Sequence, residues 1–158
     1  MVLGLLTTSL LSIVCFIATV VLGFTMQSAM SVRQHILLGF FSTFLVTLSQ
    51  SMTMFFFIGT GKQVKDLVAN RSDANDYIRR TKVFKARTFP SALWAMLFTM
   101  AAMILGGGVH TRVIPSWVHL GLAAFALYFN IVATWRDARY MIQHNMLMEE
   151  LEQTIQAK

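Results

Sequence analysis

No aspartate or glutamate occurs before Asp66, and the chain has a single cysteine among its 158 residues. One cysteine, Cys15, excludes an internal disulfide and any thiolate metal cluster, leaving a buried structural thiol as its expected role. A more consequential absence is that of charge from four long stretches, 2–26, 35–61, 89–108 and 113–134, none of which contains Asp, Glu, Lys or Arg. Each approaches or exceeds the ~20 residues a helix needs to cross a ~30 Å hydrocarbon core. The stretches do not alternate apolar and polar residues with period two, which excludes a barrel. They also lack the polar stripe of soluble amphipathic helices. With 56% hydrophobic and 13% charged residues, the expected fold is all-α: a four-transmembrane-helix bundle forming one membrane domain. No basic residue precedes the first stretch and no small-x-small cleavage site follows it, so it reads as a retained span.

The charge that is present is unevenly distributed. Of 13 lysines and arginines, eight lie in the connection 62–88 and three in the tail 135–158, while the two short connections hold only Arg33 and Arg112. By the positive-inside rule, the long connection, the tail and both termini are cytoplasmic, placing the protein in a bacterial inner membrane. Trp94 and Trp135 then fall at the inner interface and Trp117 at the outer one. The basic connection is suited to anionic lipid, and no recognition motif accompanies it that would point to nucleic acid. Within it, 63–69 continues the second span, 70–72 turns, and Ser72 or Asp73 caps a new helix, giving a helical hairpin. Pro90 biases Thr88–Phe89 away from helix.

The tail is expected to be an amphipathic C-terminal helix. Met141, His144, Met148, Leu151 and Ile155 are spaced 3, 4, 3 and 4, the step of a coiled-coil seam. Such a seam serves a partner, either another membrane subunit or a copy of the same chain, or packs on the protein's own hairpin.

Several chemistries are excluded. Gly59-Thr60-Gly61-Lys62 lacks the earlier Gly and the following Ser/Thr of a phosphate loop and follows a membrane helix, so it reads as a helix exit. No carboxylate lies within a span, which weakens ion-coupled transport. No nucleophile is accompanied by a base and an orienting group, so the chain alone is not expected to be an enzyme. Gln50 and Asn130, polar residues inside spans, are expected to join helices, with cradling of a quinone head group as the alternative.

Three histidines remain. His35, His110 and His119 all fall near the outer ends of their spans, with Arg33 and Arg112 beside them. Imidazoles on facing helices are what an axially ligated haem b requires, with small residues such as Gly39 and Gly106–Gly108 admitting the ring and arginines meeting its propionates. Met26 and Met30 flank the first outer connection, and thioether plus imidazole suits copper, although the 11 methionines are spread throughout. Interfacial histidines bonded to carbonyls are the simplest alternative.

The block Gly106-Gly107-Gly108-Val109-His110-Thr111, followed by Pro115-Ser116-Trp117-Val118-His119, and the run Phe55-Phe56-Phe57-Ile58-Gly59-Thr60-Gly61-Lys62 resemble recurrent elements of a poorly characterised family of small four-span bacterial membrane proteins. That resemblance implies the architecture and no activity. The architecture is also similar to the haem-bearing anchor subunits of succinate dehydrogenases, but their histidine motif has no counterpart here. The sequence therefore leads to a non-catalytic subunit of a larger electron-transfer membrane complex, with a small haem b electron carrier as the alternative.

Overall fold

The computed structural model describes residues 2–25 and 28–157, and among these every regular element is a helix. The four are α1 (Val2–Thr25), α2 (Ala29–Leu67), α3 (Ala74–His110) and α4 (Ser116–Gln156). All four are long and apolar enough to cross a membrane. Each neighbouring pair packs in a ring, α3 against α4 most extensively and α1 against α4 least, while α2 and α4 lie across the diagonal. At ~1.5 Å per residue, α2, α3 and α4 run about 55–60 Å and α1 about 36 Å. Three helices therefore extend well past the reach of α1.

The ends of these helices have specific causes. Ser28 and Ser31 form a reciprocal capping box at the start of α2: Ser28 Oγ accepts from the Ser31 amide at 3.2 Å and Ser31 Oγ accepts from the Ser28 amide at 3.1 Å. The α2–α3 connection is confined to 68–73, so the expected helical hairpin is present. Asp73 occupies the N-cap position of α3, but its carboxylate takes both guanidinium bonds of Arg71, at 2.7 and 2.8 Å, in place of capping. Pro115 precedes α4 with its ring fixing φ at −64°.

Gly59-Thr60-Gly61-Lys62 does not end the helix: α2 continues through it to Leu67, in line with the expected continuation over 63–69. Gly61 instead gives room to α3, since a Cβ there would sit 2.6 Å from Lys85 Nζ. Thr88 and Phe89 are likewise helical, and α3 passes through Pro90. Hydroxyls flank the proline, Thr88 Oγ1 donating to the Phe84 carbonyl at 2.9 Å and Ser91 Oγ to the Thr88 carbonyl at 2.8 Å. Packing by neighbouring helices and Ser/Thr bonds of this kind let membrane helices tolerate proline.

Along the spans the bundle is lined by small and polar side chains and coated by large apolar ones. Ser42 and Gln50 are fully buried, whereas Phe44 and Phe55 are 62% and 70% exposed. A water-soluble fold reverses that arrangement, and so much exposed apolar surface suits lipid. Hydroxyl pairs join the helices: Ser9 to Ser49 at 2.6 Å and Thr19 to Ser42 at 3.0 Å between α1 and α2, and Asn130 Nδ2 donating to Thr99 Oγ1 at 2.9 Å between α4 and α3. The principal hydrophobic core lies toward the hairpin end, where Phe57, Val64, Phe84, Met141, Leu147 and Leu151 pack together. Arg80 reaches across from α3 to the Glu150 carboxylate of α4 at 2.9 Å.

Candidate functional site

At the end of the bundle opposite the hairpin, α2 and α4 bring His35 and His119 together across the diagonal. Their ring centroids are 6.2 Å apart with planes at 89°. Each ring is held by the other helix of its own hairpin. His35 Nδ1 lies 2.9 Å from the Thr19 carbonyl of α1, and His119 Nδ1 lies 3.0 Å from the Ala102 carbonyl of α3. A carbonyl only accepts, so Nδ1 carries a proton on each ring, and in the neutral imidazole Nε2 is the nitrogen with the lone pair. No hydrogen bond involves either Nε2 among the described residues.

The two halves of this arrangement repeat each other. Histidine and carbonyl are separated by 16 residues in the first half and 17 in the second. In both, a glycine one turn beyond the carbonyl residue makes space for the ring. A Cβ on Gly23 would meet His35 Cε1 at 3.1 Å, and one on Gly106 would meet His119 Cε1 at 3.1 Å. The rings are thus fixed in tautomer and position by backbone on one side and absent side chains on the other, which is how ligating histidines are oriented.

A cavity of about 840 Å³ opens beside the pair, walled mainly by apolar side chains such as Phe16, Phe40, Met103 and Leu120. His110 and Arg112 also line it, though both are exposed and His110 lies at the end of α3 rather than in the ring pair. Arg112 adopts φ 61°, the left-handed region that side chains rarely occupy. Arg33 is exposed and does not line the cavity. Met30 is 63% exposed and also apart from it, while Met26 falls outside the described residues. Among the described residues, no three histidine, cysteine or carboxylate side chains are grouped to hold a metal ion. The structure therefore presents two histidines, not three, at one point.

The tail residues lie elsewhere. Met141, His144 and Leu151 are buried in the chain's own bundle, Met148 packs against the same core and Ile155 is 41% exposed. His144 is caged by Phe56, Phe57 and Phe84, with ring centroids 5.6–5.9 Å away and no hydrogen-bond partner for either nitrogen. Burial, with the nearby Lys85 charge adding to it, pushes its pKa down to about 4. Because the unfolded chain then binds a proton that the folded one refuses, stability is expected to fall as pH drops from about 6.5 to about 4, by on the order of 3 kcal/mol. Thermal unfolding of wild type and His144→Phe between pH 7.5 and 4 checks this: the variant should lose the acid-sensitive component.

Asp137 belongs by sequence to the tail, yet it is fully buried and faces Gln50 of α2. The signal was available, because Asn130, Thr134 and Asp137 extend the Met141–His144 spacing upward by the same steps of 4 and 3. Asn130 itself joins helices, donating to Thr99 and to the Ala126 carbonyl.

No family model, curated protein or solved structure matches the chain.

Proposed function

We propose that the chain is an integral membrane haem b protein, an electron carrier in which His35 and His119 would hold the haem. The observation that carries this reading is the geometry of the two imidazoles. A metal–imidazole bond of about 2.0–2.1 Å plus a ring radius of about 1.2 Å on each side would give a centroid spacing of about 6.4 Å for two imidazoles sharing one metal ion between them. The spacing here is 6.2 Å. Both rings keep Nε2 free for ligation, and the adjoining cavity is large and apolar. Haem b supplies one-electron exchange when bound. The chain's part is to hold both imidazoles as neutral Nδ1–H tautomers, to keep water from the apolar wall, and to offer Arg112 as a counter-charge for carboxylates at the cavity mouth.

The lysines and arginines of the α2–α3 hairpin and the tail support a topology with these parts and both termini in the cytoplasm. The histidine pair then lies near the outer face, where electrons would enter or leave. Partnership with other membrane subunits is the natural setting for such a carrier, with His35 and His119 as its own contribution.

The neighbouring glycines provide the test. Gly106→Val puts a branched side chain where the His119 ring lies, and disturbing a ligand's support typically costs 10–100-fold in affinity. Haem titration of the haem-free protein should show a loss of that order for Gly106→Val. Gly59→Val, where a Cβ meets nothing within 4 Å, should titrate like wild type. Equal affinities in all three would remove the histidine pair from the haem site.

A further inference from the structure

The arginines at the hairpin-side edge of the spans divide into two groups. Those on the hairpin are paired: Arg71 with Asp73, Arg79 with Asp76, and Arg80 with Glu150 and more distantly Asp76. Arg87, Arg136 and Arg139 have no ion pair among the described residues. These three converge between α3 and α4 around a cavity of about 270 Å³, completed by Ala86, Trp135 and Tyr140. The Arg139 guanidinium lies over the Trp135 ring, 5.7 Å from its centroid, which holds one side of the group in place. The only nearby carboxylate in sequence, Asp137, is turned into the bundle and fully buried, away from this surface.

The position of the cavity matters as much as its charge. Arg87 precedes the apolar stretch 89–108 by two residues, and Trp135 directly follows the stretch 113–134. The cavity therefore sits where hydrocarbon gives way to head groups, the level at which indole rings settle. Its volume is below the ~300–1,000 Å³ of sites that enclose a whole small molecule, and it is open on one side, as a head group attached to lipid tails requires. Guanidinium forks match phosphate oxygens in pairs.

We propose that Arg87, Arg136 and Arg139 form a binding site for the phosphate of an anionic phospholipid, seated in the groove between α3 and α4. This goes beyond the general attraction of a basic connection, because it assigns the lipid to three residues and leaves the paired hairpin arginines out. It requires only that the helices span a bilayer and is independent of haem.

The test is native mass spectrometry of the full chain released from mild detergent, with dioleoylphosphatidylglycerol or dioleoylphosphatidylcholine added. At about 1 kcal/mol per basic residue, the double variant Arg136→Ala/Arg139→Ala should retain phosphatidylglycerol roughly 30-fold less well than wild type. Arg136→Lys/Arg139→Lys, which keeps the charge and guards against a folding defect, should retain more than the alanine pair. Arg79→Ala/Lys82→Ala on the hairpin should change retention little. Equal retention of phosphatidylcholine, an equal loss in the hairpin variant, or displacement of the lipid by inorganic phosphate would each overturn the assignment.

Discussion

Replacing either His35 or His119 by alanine is expected to abolish haem b retention, not merely to weaken it. The two rings come from different hairpins, and each is anchored to its own carbonyl, Thr19 for one and Ala102 for the other. Neither half can supply a substitute ligand at the same point. His110 is the other histidine at this end, but it is exposed at the terminus of α3 and lies outside the ring pair. His110→Ala should therefore keep its haem, as should His144→Ala, whose ring is enclosed at the opposite end of the bundle. The measurement is haem per chain in protein purified from the same membranes for all four variants. Loss in the first two and retention in the last two is the expected pattern; loss in His110→Ala with retention in His35→Ala would reassign the ligands.

A second large effect is expected from two phenylalanines two positions apart. Phe57 is 1% exposed and packs in the core with Phe56 and His144, whereas Phe55 is 70% exposed on the outside of the same helix. Phe57→Ala should cost about 3–5 kcal/mol, through lost contacts and the cavity left behind. Phe55→Ala should cost well under ~1 kcal/mol, because a ring that faces lipid exchanges one apolar environment for another. Reversible unfolding of both variants in the same bilayer mimetic checks this. A larger loss at Phe55 would mean that α2 is rotated or that a partner covers that face.

What the sequence made legible, and what it did not, follows from the physics of each signal. The four spans could be read because charge is excluded from hydrocarbon, and the short turn at 68–73 because turn residues separate two helical patterns. The continuity of α3 through Pro90 could not, because a local preference argues for a break that packing against neighbouring helices overrides. Depth along a helix is fixed by sequence, so the shared level of His35 and His119 was visible. Rotation about the axis is not, so the exclusion of His110 and Arg33 required coordinates. Gly23 went unnoticed for the same reason: its role depends on how α1 is turned toward α2. Asp137 lies beyond the last apolar stretch, yet its place on the inward stripe of α4 is written in the spacing from Asn130 to His144.

The tail shows how one pattern supports two structures. A 3–4 spacing marks a stripe that must be buried, without naming what buries it. Here the stripe at Met141, His144 and Leu151 is covered by α2 and α3 of the same chain. Those three side chains are consequently occupied, and any contact with another subunit must use other surfaces, such as the exposed aromatics Phe44 and Phe55 of α2 and Trp117 and Tyr128 of α4.

Two imidazoles, one from α2 and one from α4, are proposed to hold one haem b between them. A reduced-minus-oxidised visible spectrum, with haem and protein quantified together, on wild-type protein gently extracted from haem-replete cells tests this. A low-spin b-type spectrum at one haem per chain is expected. A folded, helical preparation that carries no haem and takes up none when titrated would contradict it.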